Sequence, residues 1–293
     1  MHIPVLKKEA IELLDIKPGD NLIDATCGKG GHLLSILENN GPSGKVLAID
    51  RSQEQIESCK EKTKDHSQRV SFVQDNFTNL KEITDKEKFK NINGILFDLG
   101  ISSWHLEGSG RGFSFLKKEP LDMRFNLQDQ LTAEKIINFF SKADIIRILK
   151  DYGEEMFAER IAEEILKTRS EKPIENTFQL VEAIKRAVPS FYKRQRIHFA
   201  TKTFQALRIA VNEELTSLEK VLPKALELLE KDGRMVVISF HSLEDRIVKN
   251  FFKNTAKEGK LEIITKKPMT ASFEEIKENP RARSAKLRAV IKK

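Results

Sequence analysis

A chain of 293 residues with 39% hydrophobic content and a net charge of +7 is long enough to bury a sizeable core, as one large domain or two smaller ones. No run of about 18 apolar residues occurs, and "MHIPVLKKEAIELL" lacks a basic segment ahead of a long apolar one, so neither a membrane span nor a secretory signal is expected and the chain is expected in the cytoplasm. Cys27 and Cys59 stand apart from any C-x-x-C spacing and the six histidines are scattered, which speaks against a disulfide framework and a metal cluster.

Through the first hundred positions, short apolar runs ending in small or acidic residues alternate with helical patterns, as repeated βαβ units around a parallel sheet do. Residues 21–25 read as a first strand and residues 33–39 as its helix. A second strand over 45–50 precedes a helix over 53–64, with apolar spacing at Ile56 and Cys59. A third strand covers 70–73 and is followed by "QDNFTNL". A fourth, "GILFDL" over 94–99, is apolar enough to be buried on both faces. The fold class expected is α/β, a doubly wound, mostly parallel sheet.

More than 130 residues separate this strand from "RMVVISFHS", the fifth, which opens after Gly233. That is far beyond the dozen or so residues of an ordinary crossover, so an inserted domain is expected. Its pattern is helical and highly charged: "TAEKIINFFS" starts on a capping Thr132, "KADIIRILKDYG" stops on Gly153, and "EEMFAERIAEEILKTR" and "NTFQLVEAIKRAV" follow, punctuated by Pro173 and Pro189. Residues 201–231 return the chain to the sheet, and the alternation of "AKLRAVIKK" reads as a last strand. The charge is concentrated. Residues 185–208 carry seven Lys or Arg and no acid, and residues 281–293 carry six and no acid. Basic runs are commonly plain solvated surface, but "FYKRQR" from Phe191 to Arg196 interleaves rings that can stack on bases with cations that can meet phosphates, and together the two runs favour a nucleic-acid partner.

The chemistry centres on "DATCGKGGH", residues 24–32, which lies between the first strand and its helix. Glycines at such a turn let a ligand approach the backbone, and Asp50, ending the second strand, can accept hydrogen bonds from both ribose hydroxyls. Two nucleotides fit in principle. A dinucleotide needs a pyrophosphate site free of negative charge, whereas S-adenosylmethionine carries a sulfonium and an ammonium and tolerates Asp24 beside the loop. The spacing from Asp24 through Gly28, Gly30 and Gly31 also departs from G-x-G-x-x-G, which favours the methyl donor. Asp75, Asn76 and Phe77, after the third strand, suit an adenine. Asp98 closes the fourth strand at the edge where ligands of open α/β sheets bind, placed either to accept a hydrogen bond from an acceptor amine or to hold the cofactor's amino group.

These motifs, with "HIPVL" from His2, "DLGISS" from Asp98, "RGFSF" from Arg111, "PLDMR" from Pro120, "FQALRIAVNEEL" from Phe204, "ISFHSLEDRIVK" from Ile238 and "NPRARSAKLR" from Asn279, resemble the RsmH (MraW) family of small-subunit ribosomal RNA cytosine-N4 methyltransferases. The resemblance spans practically the whole chain. It implies a Rossmann-like S-adenosylmethionine-dependent methyltransferase domain over 1–105 and 203–293, with an all-helical insertion over 106–202 that recognises substrate. It further implies methyl transfer to N4 of a cytidine in the decoding region of 16S ribosomal RNA. By matching positions, Gly30, Gly31, His32, Asp50, Phe77 and Asp98 contact the cofactor. Trp104-His105 departs from the usual pattern of an apolar residue followed by Gln, and His105 is carried over as a hydrogen-bond donor whose charge varies with pH.

Read by themselves, Ser239, His241 and Ser242 raise the idea of hydrolysis, but no glycine elbow surrounds either serine. His241 is assigned with Asp98 to the catalytic set, ordering the site or contacting the base. Arg111, Phe113 and Arg124, at the start of the insertion, together with Arg194, Arg281 and Arg283, are the candidate substrate contacts, the ring walling a pocket for an extruded base and the guanidinium groups meeting phosphates. No cysteine lies near the fourth or fifth strand, which fits direct transfer to an exocyclic nitrogen, without a covalent intermediate or a metal. The partners expected are small-subunit ribosomal RNA, within a ribosomal particle, and no membrane; a homodimer is an option the sequence leaves open. Two rivals stand beside this reading: an NAD-dependent dehydrogenase and a non-enzymatic RNA-binding protein.

Overall fold

The computed structural model describes residues 4–293, so His2 and Ile3 of the first motif lie outside the described residues. In chain order the elements are α1 (Lys7–Leu14), β1 (Asn21–Asp24), α2 (Gly31–Asn39), β2 (Val46–Asp50), α3 (Gln53–Lys62), β3 (Val70–Gln74), α4 (Leu80–Lys86) and β4 (Ile92–Asp98). Then come α5 (Ser103–Glu107), α6 (Ala133–Phe139), α7 (Lys142–Gly153), α8 (Ala158–Glu171), α9 (Thr177–Ala187), α10 (Ser190–Lys193) and α11 (Thr201–Asn212). The chain closes with α12 (Glu214–Leu228), β5 (Leu229–Ser239), α13 (Ser242–Lys257), β6 (Leu261–Ile263), α14 (Phe273–Glu278) and β7 (Lys286–Lys292). These residues pack as two compact units, one made of the chain up to Gly100 with Leu215–Lys293, the other of Ile101–Glu214.

The first unit is built on a seven-stranded sheet of order β3-β2-β1-β4-β5-β7-β6. Neighbours pair parallel except around β7, which runs antiparallel to both β5 and β6. The α/β alternation read from the sequence thus produces a doubly wound, Rossmann-like sheet. Both faces of the central strands are covered, which is why they read as continuous apolar runs. Ile23, Leu47, Ile95, Phe97 and Val237 face a core shared with Leu80 of α4, Val221 of α12 and Phe252 of α13. Their alternating neighbours Leu22, Val46, Ala48, Leu96 and Val236 face a second core with Leu14 of α1, Leu33 of α2 and Cys59 of α3. After β1 the chain winds outward to β2 and β3, then returns to β4 on the opposite side of β1. This reversal opens a crevice at the carboxyl ends of β1 and β4, the place where such sheets bind ligands.

The second unit is helical. Ile136 and Ile137 of α6, Ile145 and Leu149 of α7, Ile161 and Ile165 of α8, Leu180 and Ile184 of α9, and Phe204, Leu207 and Val211 of α11 share one core. The junctions fall at 100/101 and 214/215 instead of 105/106 and 202/203, because the apolar face of α11 packs on α7 and α6 and so belongs to the helical unit. α7 ends on Gly153 as expected, and the left-handed conformation that follows belongs to Glu154, with φ 47°. A Cβ at Gly153 would stand 2.8 Å from the Lys202 carbonyl oxygen, so the glycine lets α7 and α11 approach closely. The strand expected after Gly233 begins earlier, at Leu229, which pairs with Ile92.

Candidate active site

β1, β2 and β4 each end in an aspartate, so their parallel register delivers Asp24, Asp50 and Asp98 to one edge of the sheet. The glycine loop organises two of them. Asp50 accepts backbone N–H bonds from Gly28 to Oδ2 and from Ser52 to Oδ1, both at 2.9 Å. Asp24 Oδ1 accepts from the Thr26 backbone N–H at 3.2 Å. The Thr26 hydroxyl oxygen in turn accepts the backbone N–H of Asp98 at 2.6 Å, which ties the loop to the end of β4. Asp24 Oδ2 and Asp98 Oδ1 are buried and have no hydrogen-bond partner among the described residues.

Unsatisfied buried oxygens are costly, and the cost appears in their proton affinity. Burial pushes Asp24 up to about 7, opposed by the Thr26 bond and assisted by the charge of Asp50. Asp50 rises to about 6, again through burial, held back by its bonds from Ser52 and Gly28. Asp98 is pushed well above the usual carboxylate range by burial, then by the charges of Asp24 and Glu244. It still keeps 24% of its side-chain surface, so a ligand in the crevice can reach it. Converging acids with spare acceptor capacity make a pit suited to a cation and repellent to a pyrophosphate.

Gly28 and Gly30 adopt left-handed φ of 49° and 73°. A Cβ on Gly30 would meet Cys59 Sγ at 2.8 Å, and one on Gly31 would meet Pro4 Cγ at 2.3 Å. The glycines expected to make room for a ligand therefore also let the loop seat against α3 and the N-terminal segment. His32, in the first turn of α2, is 5% exposed, with Nε2 at 3.5 Å from Asp98 Oδ2. Phe77 opens a 3-10 turn after β3 and meets Phe97 edge-on at 5.8 Å between centroids. Beside it the Asn76 side chain accepts from the Thr78 N–H at 3.0 Å and donates to the Ser217 hydroxyl at 3.4 Å.

His241, assigned from the sequence to the catalytic set, is the N-cap of α13. Its Nδ1 accepts the Glu244 N–H at 3.4 Å, while Glu244 Oε2 accepts from the backbone N–H groups of Phe240 at 2.8 Å and His241 at 3.4 Å, a complete capping box. Its Nε2 lies 3.2 Å from Glu244 Oε1. These contacts fix the start of α13. The Ser239 hydroxyl donates to the Lys286 carbonyl at 3.2 Å, in keeping with a residue that is no nucleophile.

Within the helical unit, His105 is 5% exposed, with Nδ1 at 2.9 Å from the Ser102 hydroxyl and its ring enclosed by Trp104, Phe113 and Phe125 at 5.2, 5.0 and 4.9 Å. Arg111 and Phe113, placed from the sequence at a substrate surface, are buried. The guanidinium donates to the Arg124 and Phe125 carbonyls at 3.3 Å and lies over Trp104, and the ring stacks on Phe125. Arg124 is committed to its own loop through two bonds to Asp122 at 2.8 Å and others to the Leu127 and Asp129 carbonyls. These three side chains hold the start of the helical unit together, a role their motif did not reveal because most of their partners are backbone carbonyls and rings. Arg194 is exposed after α10; in the sheet unit, Arg283 is exposed and Arg281 partly so, on the 3-10 turn before β7. Sequence reasoning missed Thr26, whose hydroxyl clamps the loop to β4, and Glu244, which organises the start of α13 and adds negative charge near Asp98. The S/T/H-x-x-E spacing of "HSLE" was the available signal for the second.

A sequence profile described as the MraW methylase family matches residues 1–293. A protein of Halothermothrix orenii named "Ribosomal RNA small subunit methyltransferase H" is 45% identical, over 98% of this chain and 97% of its own length. Proteins of the same name from a Sulfurihydrogenibium species and from Thermotoga neapolitana are each 46% identical, over 98% of this chain and 97% and 95% of their own lengths.

Proposed function

The chain belongs to the MraW methylase family, and from that premise we propose that it is an S-adenosylmethionine-dependent methyltransferase of small-subunit ribosomal RNA, acting on the exocyclic N4 of one cytidine in the decoding region. The observation that carries the cofactor assignment is the pair of buried, unpartnered carboxylate oxygens, Asp24 Oδ2 and Asp98 Oδ1, at the switch point of the sheet. When bound, S-adenosylmethionine supplies an electrophilic methyl group on a sulfonium.

The residues of this chain supply the rest. Asp24 offers its free oxygen to a positive group beside the glycine loop. Asp50, with one N–H bond on each oxygen, retains lone pairs for two ribose hydroxyls. Phe77 and Asn76 frame the adenine. Asp98 accepts the N–H of the acceptor amine, which turns the nitrogen lone pair out of conjugation, and its raised proton affinity suits it to hold that proton afterwards. His32, beside Asp98, fixes the carboxylate's orientation. Proximity and alignment provide most of the acceleration. The enclosed Cys27 thiol, pushed up by its neighbour Cys59 and by burial, is no nucleophile, in line with direct transfer.

We place the protein in the cytoplasm with its ribosomal substrate, and no helix of the described residues is long and apolar enough to cross a membrane. Calorimetric titration separates the cofactor from its rival: saturable binding of S-adenosylmethionine and none of NAD is expected, and the opposite pattern would overturn the reading.

A further inference from the structure

The basic run over 185–208 sorts into two classes in the structure. Lys185 pairs with Glu182, Arg186 with Glu164 and Arg208 with Glu214, and Lys202 Nζ donates to the Glu154 carbonyl at 2.9 Å. Lys193, Arg194 and Arg196 are exposed and have no ion pair among the described residues. They share a short loop with Phe191, whose ring is 62% exposed although its edge rests on Phe157 at 6.1 Å.

Both ends of this loop are fixed. Tyr192 is buried, its ring against Phe157 at 4.9 Å and its hydroxyl donating to Glu155 Oε2 at 2.9 Å. His198 stacks flat on Phe115 at 4.6 Å. Glu155 is itself 3% exposed, so its charge is not displayed beside the cations. The result is a braced segment presenting one aromatic face and three uncompensated positive charges. An unpaired polynucleotide complements it, since each base has a face to stack and each linkage a negative charge.

We propose that the loop over 189–198 is the helical unit's docking surface for a single-stranded stretch of ribosomal RNA, with Phe191 stacking on an unpaired base and Lys193, Arg194 and Arg196 holding the neighbouring phosphates. The proposal rests on the ribosomal RNA substrate argued above and adds where and how that strand is held. Of the guanidinium groups singled out in the sequence, it keeps Arg194 and sets aside the buried Arg111.

The test compares wild type, Phe191→Ala and the triple variant K193Q/R194Q/R196Q by fluorescence anisotropy, using a single-stranded RNA of small-subunit sequence and a duplex of equal length. Phe191→Ala is expected to weaken single-strand binding by about tenfold or more. The triple variant is expected to lower the slope of log affinity against log salt by about two. Both should keep wild-type circular dichroism and wild-type affinity for S-adenosylmethionine, because the mutated side chains are exposed and the Tyr192 and His198 anchors remain. Wild-type RNA affinity and salt slope in the triple variant would overturn the proposal, as would equal losses on the duplex in Phe191→Ala. Methylation of small-subunit particles by wild type, run alongside, separates the two readings. Its absence removes the enzymatic assignment while the docking surface stands or falls on the anisotropy.

Discussion

His32 Nε2 stands 3.5 Å from Asp98 Oδ2, so the first turn of α2 and the end of β4 meet across the crevice through one imidazole and one carboxylate. Asp98 thereby holds a fixed orientation while its other oxygen has no hydrogen-bond partner among the described residues. Replacing Asp98 with Asn or Ala is expected to lower methyl transfer by about 10² to 10⁴, the usual range for a lost proton acceptor. The fold should survive with equal or higher thermal stability, since a buried carboxyl with an unsatisfied oxygen is removed. Methyl incorporation and thermal unfolding of the same samples check this, and full activity in Asp98→Ala would remove the residue from the mechanism.

The raised carboxylates make cofactor affinity depend on pH. Asp24 binds its proton more tightly folded, at about 7, than at its ordinary 3.8, and Asp50 does so at about 6. The folded state therefore holds more protons between these values. The stability these groups contribute is complete at low pH and declines as pH rises through the folded values. A cationic ligand favours the ionised forms, so affinity for S-adenosylmethionine should climb from about pH 5 to about pH 7 and then level, with proton release on binding. Titration calorimetry in two buffers of different ionisation enthalpy measures that release; binding that neither releases protons nor varies with pH contradicts the scheme.

Two substitutions decide what His241 does. His241→Ala removes the N-cap of α13 and should cost about 0.5–2 kcal/mol in urea unfolding. His241→Asn restores a capping acceptor, so both stability and methyl transfer should stay near wild type. Loss of activity in a stable His241→Asn protein would return the residue to the catalytic set.

Gly30 is required twice, for its φ of 73° and for the space occupied by Cys59 Sγ. Gly30→Ala is expected to destabilise by about 1–3 kcal/mol through backbone strain and overpacking. Adding Cys59→Gly should recover the overpacking part only, leaving the strain. Additive losses in that double-mutant cycle would show that the two positions do not interact.

The sheet was legible because β1, β2 and β4 are buried on both faces, so 21–25, 45–50 and 94–99 stand out as apolar runs with an aspartate at or next to their ends, while 70–73 falls on the partly buried edge strand β3. The three-residue β6 carries too little pattern to read, and β5 begins ahead of Gly233 because Leu229 pairs with Ile92 across an irregular register. Of the site, the three aspartates followed from their places at strand ends. The Thr26 clamp on Asp98 and the charge that Glu244 adds near Asp98 depend on contacts between segments far apart in the chain, which local spacing does not encode, whereas the capping role of Glu244 is written in the spacing of "HSLE". The end of the helical unit is a further case: α11 looks like a return helix until its apolar face is seen packed on α7.

The most direct measurement incubates the protein with S-adenosylmethionine and unmethylated small-subunit particles, then maps the ribosomal RNA by nuclease digestion and mass spectrometry. One added methyl group on N4 of a single decoding-region cytidine, absent with Asp98→Ala, is the expected result. No modification by the wild-type protein, or a methyl group on a ring carbon or another base, would contradict the assignment.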